Sequence, residues 1–446
     1  MSRFSNFLRS SLGLVAIGAM AACGDADSKL LLPTTPPGGD MFRSYVAMGN
    51  SITAGFQSGG INDSVQRQSW AFLLAQQAGT RFAYPSINKT VTVAGLTVTS
   101  GCPPMTGNWA TQQRTDSLLG MAPFNLPVTH AARACSLRDA TKATDILNNV
   151  AVPGAFATDL LVNDQNIKTP GSTGAIFQFF LGGASQLDRA LDADPTFVSL
   201  WVGNNETLQP ASAGLLGGNA GAGVPALVDS TEFATAFNKV VDSLVATQGA
   251  GLRGLLVYAV KVANAPRFFS ADSLGLSATK RTAFGTFTGM GAPTVIGCGT
   301  AVTGWLVSIE LARAIRAGTH PNVVSCVANT PAAPVGDVYM LSTAEQATLS
   351  ARVDQYNLAI KAKADQYGFA VLNPNDTLAV LRSGATPQIP VFPNITSNTR
   401  DAAGSVFGAL FSLDGAHPSA AGQKLIANIA IAAINAKYSV QIPQVP

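Results

Sequence analysis

Five short runs crowded with Val, Leu, Tyr and Phe punctuate the chain, at Tyr45–Met48, Asn149–Val152, Phe197–Val202, Leu255–Val260 and Phe369–Leu372. Each is apolar enough to read as a strand buried on both faces. Helical periodicity fills the intervals. It covers Ser69–Ala78 and Asp229–Ala246, where Phe233, Phe237, Val240 and Leu244 share one face and Asp229 and Glu232 have capping-box spacing. It returns over Thr343–Tyr367, opened by Ser342 with Glu345 three residues on, and over Ser419–Lys437, with Ile426, Ile429, Ala430 and Ala433 on one stripe. Strands alternating with helices predict βαβ units, hence an α/β fold with a parallel sheet covered on both sides. Right-handed crossovers then leave a crevice at the carboxyl ends of the strands. A chain of 446 residues, 47% of them hydrophobic, can fill such a core without help from metals or partners.

Four stretches exceed what short crossovers need: about 56–146, 207–228, 265–341 and 373–406. They are expected to be loops and a partial cap around a single core spanning 42–446. Within the first, Thr90–Val98 alternates around Ala94 and Gly95 and predicts a β-hairpin.

The amino-terminal segment carries Arg3 and Arg9, an apolar run from Leu12 to Met20, and small residues before Cys23. This is the pattern of a secretory signal over residues 1–22, and its apolar run is too short to span a bilayer, which takes roughly 20 residues. Without Arg3 and Arg9, 26 basic residues face 25 acidic ones, a balance that offers nothing to a nucleic acid. The placement of Cys23 after Ala21 and Ala22 resembles a bacterial lipobox, although Met20 stands where Leu is usual. That resemblance implies a lipid anchor on Cys23, a linker over 23–41, and attachment to the outer membrane of a Gram-negative bacterium. Export makes disulfides the expected state of Cys102, Cys135, Cys298 and Cys326. Three pairings are open, and the two local ones, Cys102 with Cys135 and Cys298 with Cys326, are favoured. The absence of any C-x-x-C pair and the dispersal of His130, His320 and His417 argue against a metal site.

Two motifs carry chemistry. Gly49-Asn50-Ser51-Ile52-Thr53-Ala54-Gly55 follows the first strand directly, where a turn exposes the Ser51 hydroxyl. Far downstream, Asp414-Gly415-Ala416-His417-Pro418-Ser419 holds a carboxylate three residues before an imidazole. Asp414 can accept a hydrogen bond from the Nδ1–H of His417 and leave Nε2 to face a serine. Each motif alone also describes an ordinary turn. Together they resemble the GDSL/SGNH hydrolase family, whose four blocks occur here once each and in order. The second resembles Ala151-Val152-Pro153-Gly154-Ala155 and the third Gly203-Asn204-Asn205-Glu206.

The resemblance implies a flavodoxin-like three-layer α/β/α sandwich. It implies Ser51 as nucleophile, His417 as base and Asp414 as its orienter, with the Ser51 and Gly154 N–H groups and the Asn205 side chain as oxyanion donors, and no cofactor. Asn50 and Glu206 depart from the family pattern, which has Asp at both places. A G-x-S-x-G elbow is missing, which argues against the α/β-hydrolase design. The expected activity is carboxylic-ester hydrolysis through an acyl-serine. Its rivals are a non-enzymatic lipid- or glycan-binding protein on the same scaffold and an acyltransferase using the same intermediate. His130, His320, Trp70, Trp109, Trp201 and Trp305 are expected to be surface or packing residues.

Overall fold

The computed structural model describes residues 36–58, 60–61, 63–86, 90–93, 96–99, 146–162, 180–181, 184–300, 302–327, 338–383, 388–394 and 404–446. The signal segment, Cys23, Cys102, Cys135, His130 and Trp109 lie outside them. β1 (Tyr45–Gly49) runs into the four-residue helix α1 (Ser51–Ala54), followed by α2 (Trp70–Ala78). Next come α3 (Gln186–Asp192), β2 (Phe197–Trp201), α4 (Asn205–Ala213) and α5 (Ser230–Gln248). β3 (Arg253–Val257), α6 (Thr343–Tyr367), β4 (Ala370–Leu372), α7 (Pro374–Ser383) and α8 (Ala420–Tyr438) complete the frame.

The four strands pair in the order β1-β2-β3-β4, all parallel, with Tyr45 opposite Phe197 and Phe197 opposite Arg253. The strand expected at Asn149–Val152 is reduced to a single parallel bridge between Ala47 and Asn149. Its neighbours still follow the edge of β1, since Val150 N donates to Ala47 O at 2.9 Å and Val152 N to Gly49 O at 3.1 Å. A full ladder is blocked locally. The amides of Asn148 and Asn149 reach the Tyr45 and Thr53 carbonyls instead, and Pro153 brings no N–H. Counted with this segment, the sheet has the strand order 2-1-3-4-5 of flavodoxin-like folds. β3 starts two residues before the expected Leu255–Val260 run and ends three earlier. Tyr258 N makes a last backbone bond to Leu372 O, and beyond it side chains replace the ladder: Asn357 accepts from Ala259 N and Asn204 from Val260 N.

Side chains alternate across the sheet as pleating requires. Val46, Met48, Val198, Leu200 and Leu256 face a core shared with α5 and α6. Tyr45, Ala47, Phe197, Trp201, Leu255 and Val257 face one shared with α2 and α8. The result is a three-layer α/β/α sandwich. Helix starts follow the expected chemistry, with Ser69, Asp229 and Ser419 as N-caps and a reciprocal capping box between Ser342 and Glu345.

The stretch 265–341 is more than loop. Phe268–Ser270, Leu306–Ser308 and Met340–Leu341 form an antiparallel sheet, and Thr294–Ile296 pairs in parallel with Val323–Ser325. Helices at Ala278–Thr288 and Ile309–Arg316 cover them, and a disulfide joins Cys298 to Cys326. This body has its own apolar core, built from Phe269, Leu274, Phe284, Val307, Ile315 and Val324, which extends to Phe407, Phe411 and Leu413. The periodicities are short and interrupted by Gly, so the sequence gives little warning of them. The hairpin is present, with Thr90–Val93 antiparallel to Leu96–Thr99.

Candidate active site

Ser51 is the first residue of α1 at the carboxyl end of β1, so its N–H has no acceptor within the helix. Asn50 caps that helix, its Oδ1 accepting from Ile52 N at 3.1 Å, so the departure from Asp preserves the cap with a neutral side chain. Gly49 is required by crowding. It has φ +139°, and a Cβ there would lie 2.2 Å from the Trp201 carbonyl oxygen. The buried Gln186 amide fixes this turn from below, accepting from Gly49 N and donating to Gly49 O, each at 2.9 Å.

The base arrives from the other end of the chain. His417 Nε2 lies 2.7 Å from Ser51 Oγ, and His417 Nδ1 lies 2.8 Å from Asp414 Oδ2. Asp414 Oδ1 accepts from the Ala416 and His417 backbone N–H groups at 2.9 and 2.8 Å. Burial works to raise the Asp414 carboxyl, but the facing imidazole and these hydrogen bonds outweigh it and hold the group well below the usual carboxylate range. An ionised Asp414 can only accept, so Nδ1 keeps its proton and donates it in the hydrogen bond to Oδ2, which leaves the Nε2 lone pair facing Ser51. The turn also depends on Gly415 (φ +69°), where a Cβ would meet Phe407 at 2.9 Å and Arg267 at 3.0 Å.

Three contacts hold the two loops in register. Ser58 N donates to Ser412 Oγ at 2.8 Å while Leu413 N donates to Ser58 Oγ at 3.1 Å. Gln423 of α8 donates to Ile52 O at 3.1 Å and accepts from Trp70 N. The Phe56 ring packs 4.8 Å from the His417 ring. The 265–341 body braces the same turn. Arg267 N donates to Gly415 O at 3.0 Å, and the buried Arg267 side chain pairs with Glu310, which Arg313 also holds at 2.7 Å.

The other two blocks meet at the adjacent strand ends. Asn205 opens α4 after β2, lines the same cavity as Ser51 and His417, and donates from Nδ2 to Ala155 O at 2.9 Å. That bond ties the Gly154 turn (φ +85°) to the head of α4. Glu206 strengthens the tie, its Oε1 accepting from Ala157 N at 2.7 Å. The sequence shows Glu206 only as a departure from a pattern, since its partner lies 49 residues away.

Burial pushes Glu206 up to about 8, against an ordinary value of 4.5. A carboxyl whose folded pKa is raised binds more protons folded than unfolded between those values, so stability falls as pH rises from about 4.5 towards 8. Glu206→Gln keeps an acceptor for Ala157 N and removes the ionisation. We expect the melting temperature of the variant to gain on the wild type between pH 5 and pH 8; parallel pH profiles would refute this.

A cleft open to solvent, about 900 Å³ when the open space at its mouth is included, begins at Ser51, Asn205 and His417. Its walls are mostly aliphatic, and Trp201 lines it as well as packing between the layers. Trp70 and Trp305 pack in the cores, as expected, whereas His320, expected at the surface, is half-buried, with its ring 6.0 Å from that of Tyr339 and its Nδ1 2.7 Å from Pro321 O. Among the described residues, no group of three His, Cys, Asp or Glu side chains could hold a metal ion.

No protein-family model and no curated protein matches the sequence. Among solved structures the chain is similar to a putative GDSL-like lipase from Parabacteroides merdae, with 9% identity, TM-score 0.32, 87% of this chain and 94% of that one covered. It is also similar to an α/β hydrolase from the metagenome of Lake Arreo, Spain, with 13% identity, TM-score 0.33 and coverage of 89% and 97%. An extracellular lipase from Streptomyces rimosus aligns with 14% identity, TM-score 0.33 and coverage of 85% and 94%. Overlap this loose carries no chemistry, which rests on the geometry of Ser51, His417 and Asp414.

Proposed function

We propose that the chain is a serine esterase of the GDSL/SGNH type, cleaving a carboxylic ester through an acyl-Ser51 intermediate. The observation that carries this reading is the hydrogen-bonded line Asp414, His417, Ser51 at the carboxyl ends of a parallel sheet. His417 Nε2 takes the Ser51 proton as Oγ attacks the carbonyl carbon. The oxyanion is received by the Ser51 and Gly154 N–H groups and by Asn205 Nδ2, donors that contribute about 3 kcal/mol each in sites of this kind. His417 then returns the proton to the leaving alcohol, and water attacks the acyl-serine by the same route in reverse.

In this reading the protein is exported by the signal over residues 1–22 and tethered to a membrane through acylated Cys23. A fluorophosphonate probe tests the chemistry, because only an activated serine is phosphonylated. Peptide mass spectrometry should find the adduct on Ser51, and the same digest reads whether Cys23 is acylated. A folded protein that takes up no probe would favour the binding-protein alternative.

A further inference from the structure

The cavity beside Ser51 is walled by two helices that present the same pattern of residues. α7 contributes Pro374, Thr377, Leu378 and Leu381, and α8 contributes Gly422, Leu425, Ile426 and Ile429. Both sets are i, i+3, i+4, i+7, which keeps each on one side of its helix for two turns. The aliphatic members are only half-buried, although comparable residues elsewhere on α8, such as Ile431 and Ile434, are fully covered. Among the described residues no charged side chain lines the cavity, and beyond the cluster at Asn50, Ser51, Asn204, Asn205 and His417 the one hydroxyl or amide is Thr377. Such a wall recognises neither a sugar nor a charged head group.

We propose that this cavity is an acyl-chain site, selecting esters of uncharged, medium-length fatty acids. The inference rests on the acyl-Ser51 reading above. The acyl group stays bonded to Ser51 Oγ through both half-reactions, so a cavity continuous with Ser51 and Asn205 holds it throughout, whereas the alcohol leaves after the first. The α8 stripe begins near the catalytic turn and ends at Ile429. At 1.5 Å per residue it spans roughly 10 Å, the reach of an extended chain of about eight carbons. Leu425, Ile426 and Ile429 on α8 and Leu378 on α7 thereby set the chain length.

The test is kcat/KM across p-nitrophenyl esters from acetate to palmitate, beside alkyl acetates in which the chain is moved to the alcohol. Each methylene buried is expected to raise kcat/KM by up to about fourfold, from ~0.8 kcal/mol per methylene at 1.36 kcal/mol per tenfold. Octanoate should exceed acetate by at least about 100-fold, and the gain should stop near eight to ten carbons. Ile429→Trp, at the far end, should move the optimum down by two or more carbons. Leu378→Trp on the facing wall should do the same, giving a second reading if the first variant fails to fold.

A flat profile, an unmoved optimum in both variants, or a chain-length gain confined to the alkyl acetates would overturn the acyl site. If Ser51 is still phosphonylated, the esterase reading survives that result. Absence of both the adduct and ester turnover would overturn the esterase reading and the acyl site with it.

Discussion

Ser51→Ala should reduce ester hydrolysis by about 10⁵-fold to 10⁶-fold in kcat while leaving the melting temperature near that of the wild type. The hydroxyl makes one hydrogen bond, to His417 Nε2, so its removal deletes the nucleophile without opening a cavity in either core. His417→Ala should fall as far, because a serine hydroxyl without a base at 2.7 Å is a poor nucleophile at neutral pH. The double variant should be no slower than either single one, since the two groups act as one unit. Steady-state kinetics on a p-nitrophenyl ester decides the matter. Ser51→Ala turning over within tenfold of the wild type would remove Ser51 from the mechanism.

The second large effect concerns Asp414, where the direction of a single amide matters. Asp414 Oδ1 accepts two backbone N–H groups while Oδ2 faces His417 Nδ1 at 2.8 Å. In Asp414→Asn the carbonyl must keep the two N–H donors, because an NH₂ there would point at hydrogens. The amide nitrogen then faces Nδ1 and forces it to accept. The ring proton moves to Nε2, aimed at Ser51 Oγ, and the base is lost although every heavy atom stays in place. A loss of about 10⁴-fold in kcat is expected, as for this exchange in serine proteases. Asp414→Ala leaves the ring free to choose its tautomer and should be less damaging. An Asparagine variant more active than the alanine variant would contradict the tautomer argument.

Local signals in the sequence carried the frame well. Buried strands, capping residues and the glycines of the Ser51 and His417 turns are governed by neighbours a few positions away, and Gly49 and Gly415 occupy conformations that nearly exclude other residues. Asn149–Val152 fell short of a strand because two asparagine side chains compete for backbone partners, a contest decided by residues about 65 to 103 positions distant. Glu206 and Gln186 were illegible for the same reason, since their partners at Ala157 and Gly49 come from other crossovers. Ile426 and Ile429 lie on the apolar stripe of the last helix and pack half-buried against the core shared with α2, and the same side chains line the cavity, a second role that periodicity has no means of showing. In the 265–341 body the strands have two or three residues, too few for a period to register.

The nucleophile and its base stand 366 residues apart in the chain, clasped by the exchange of hydrogen bonds between Ser58 and the segment Ser412–Leu413. Contacts of such separation form late, after the intervening chain has been ordered. In the esterase reading proposed above, a chain still being synthesised therefore holds a serine with no base and cannot yet attack an ester. In that reading hydrolytic competence waits for the Ser51 and His417 segments to meet, which makes the reactivity of Ser51 a report on whether the molecule has finished folding.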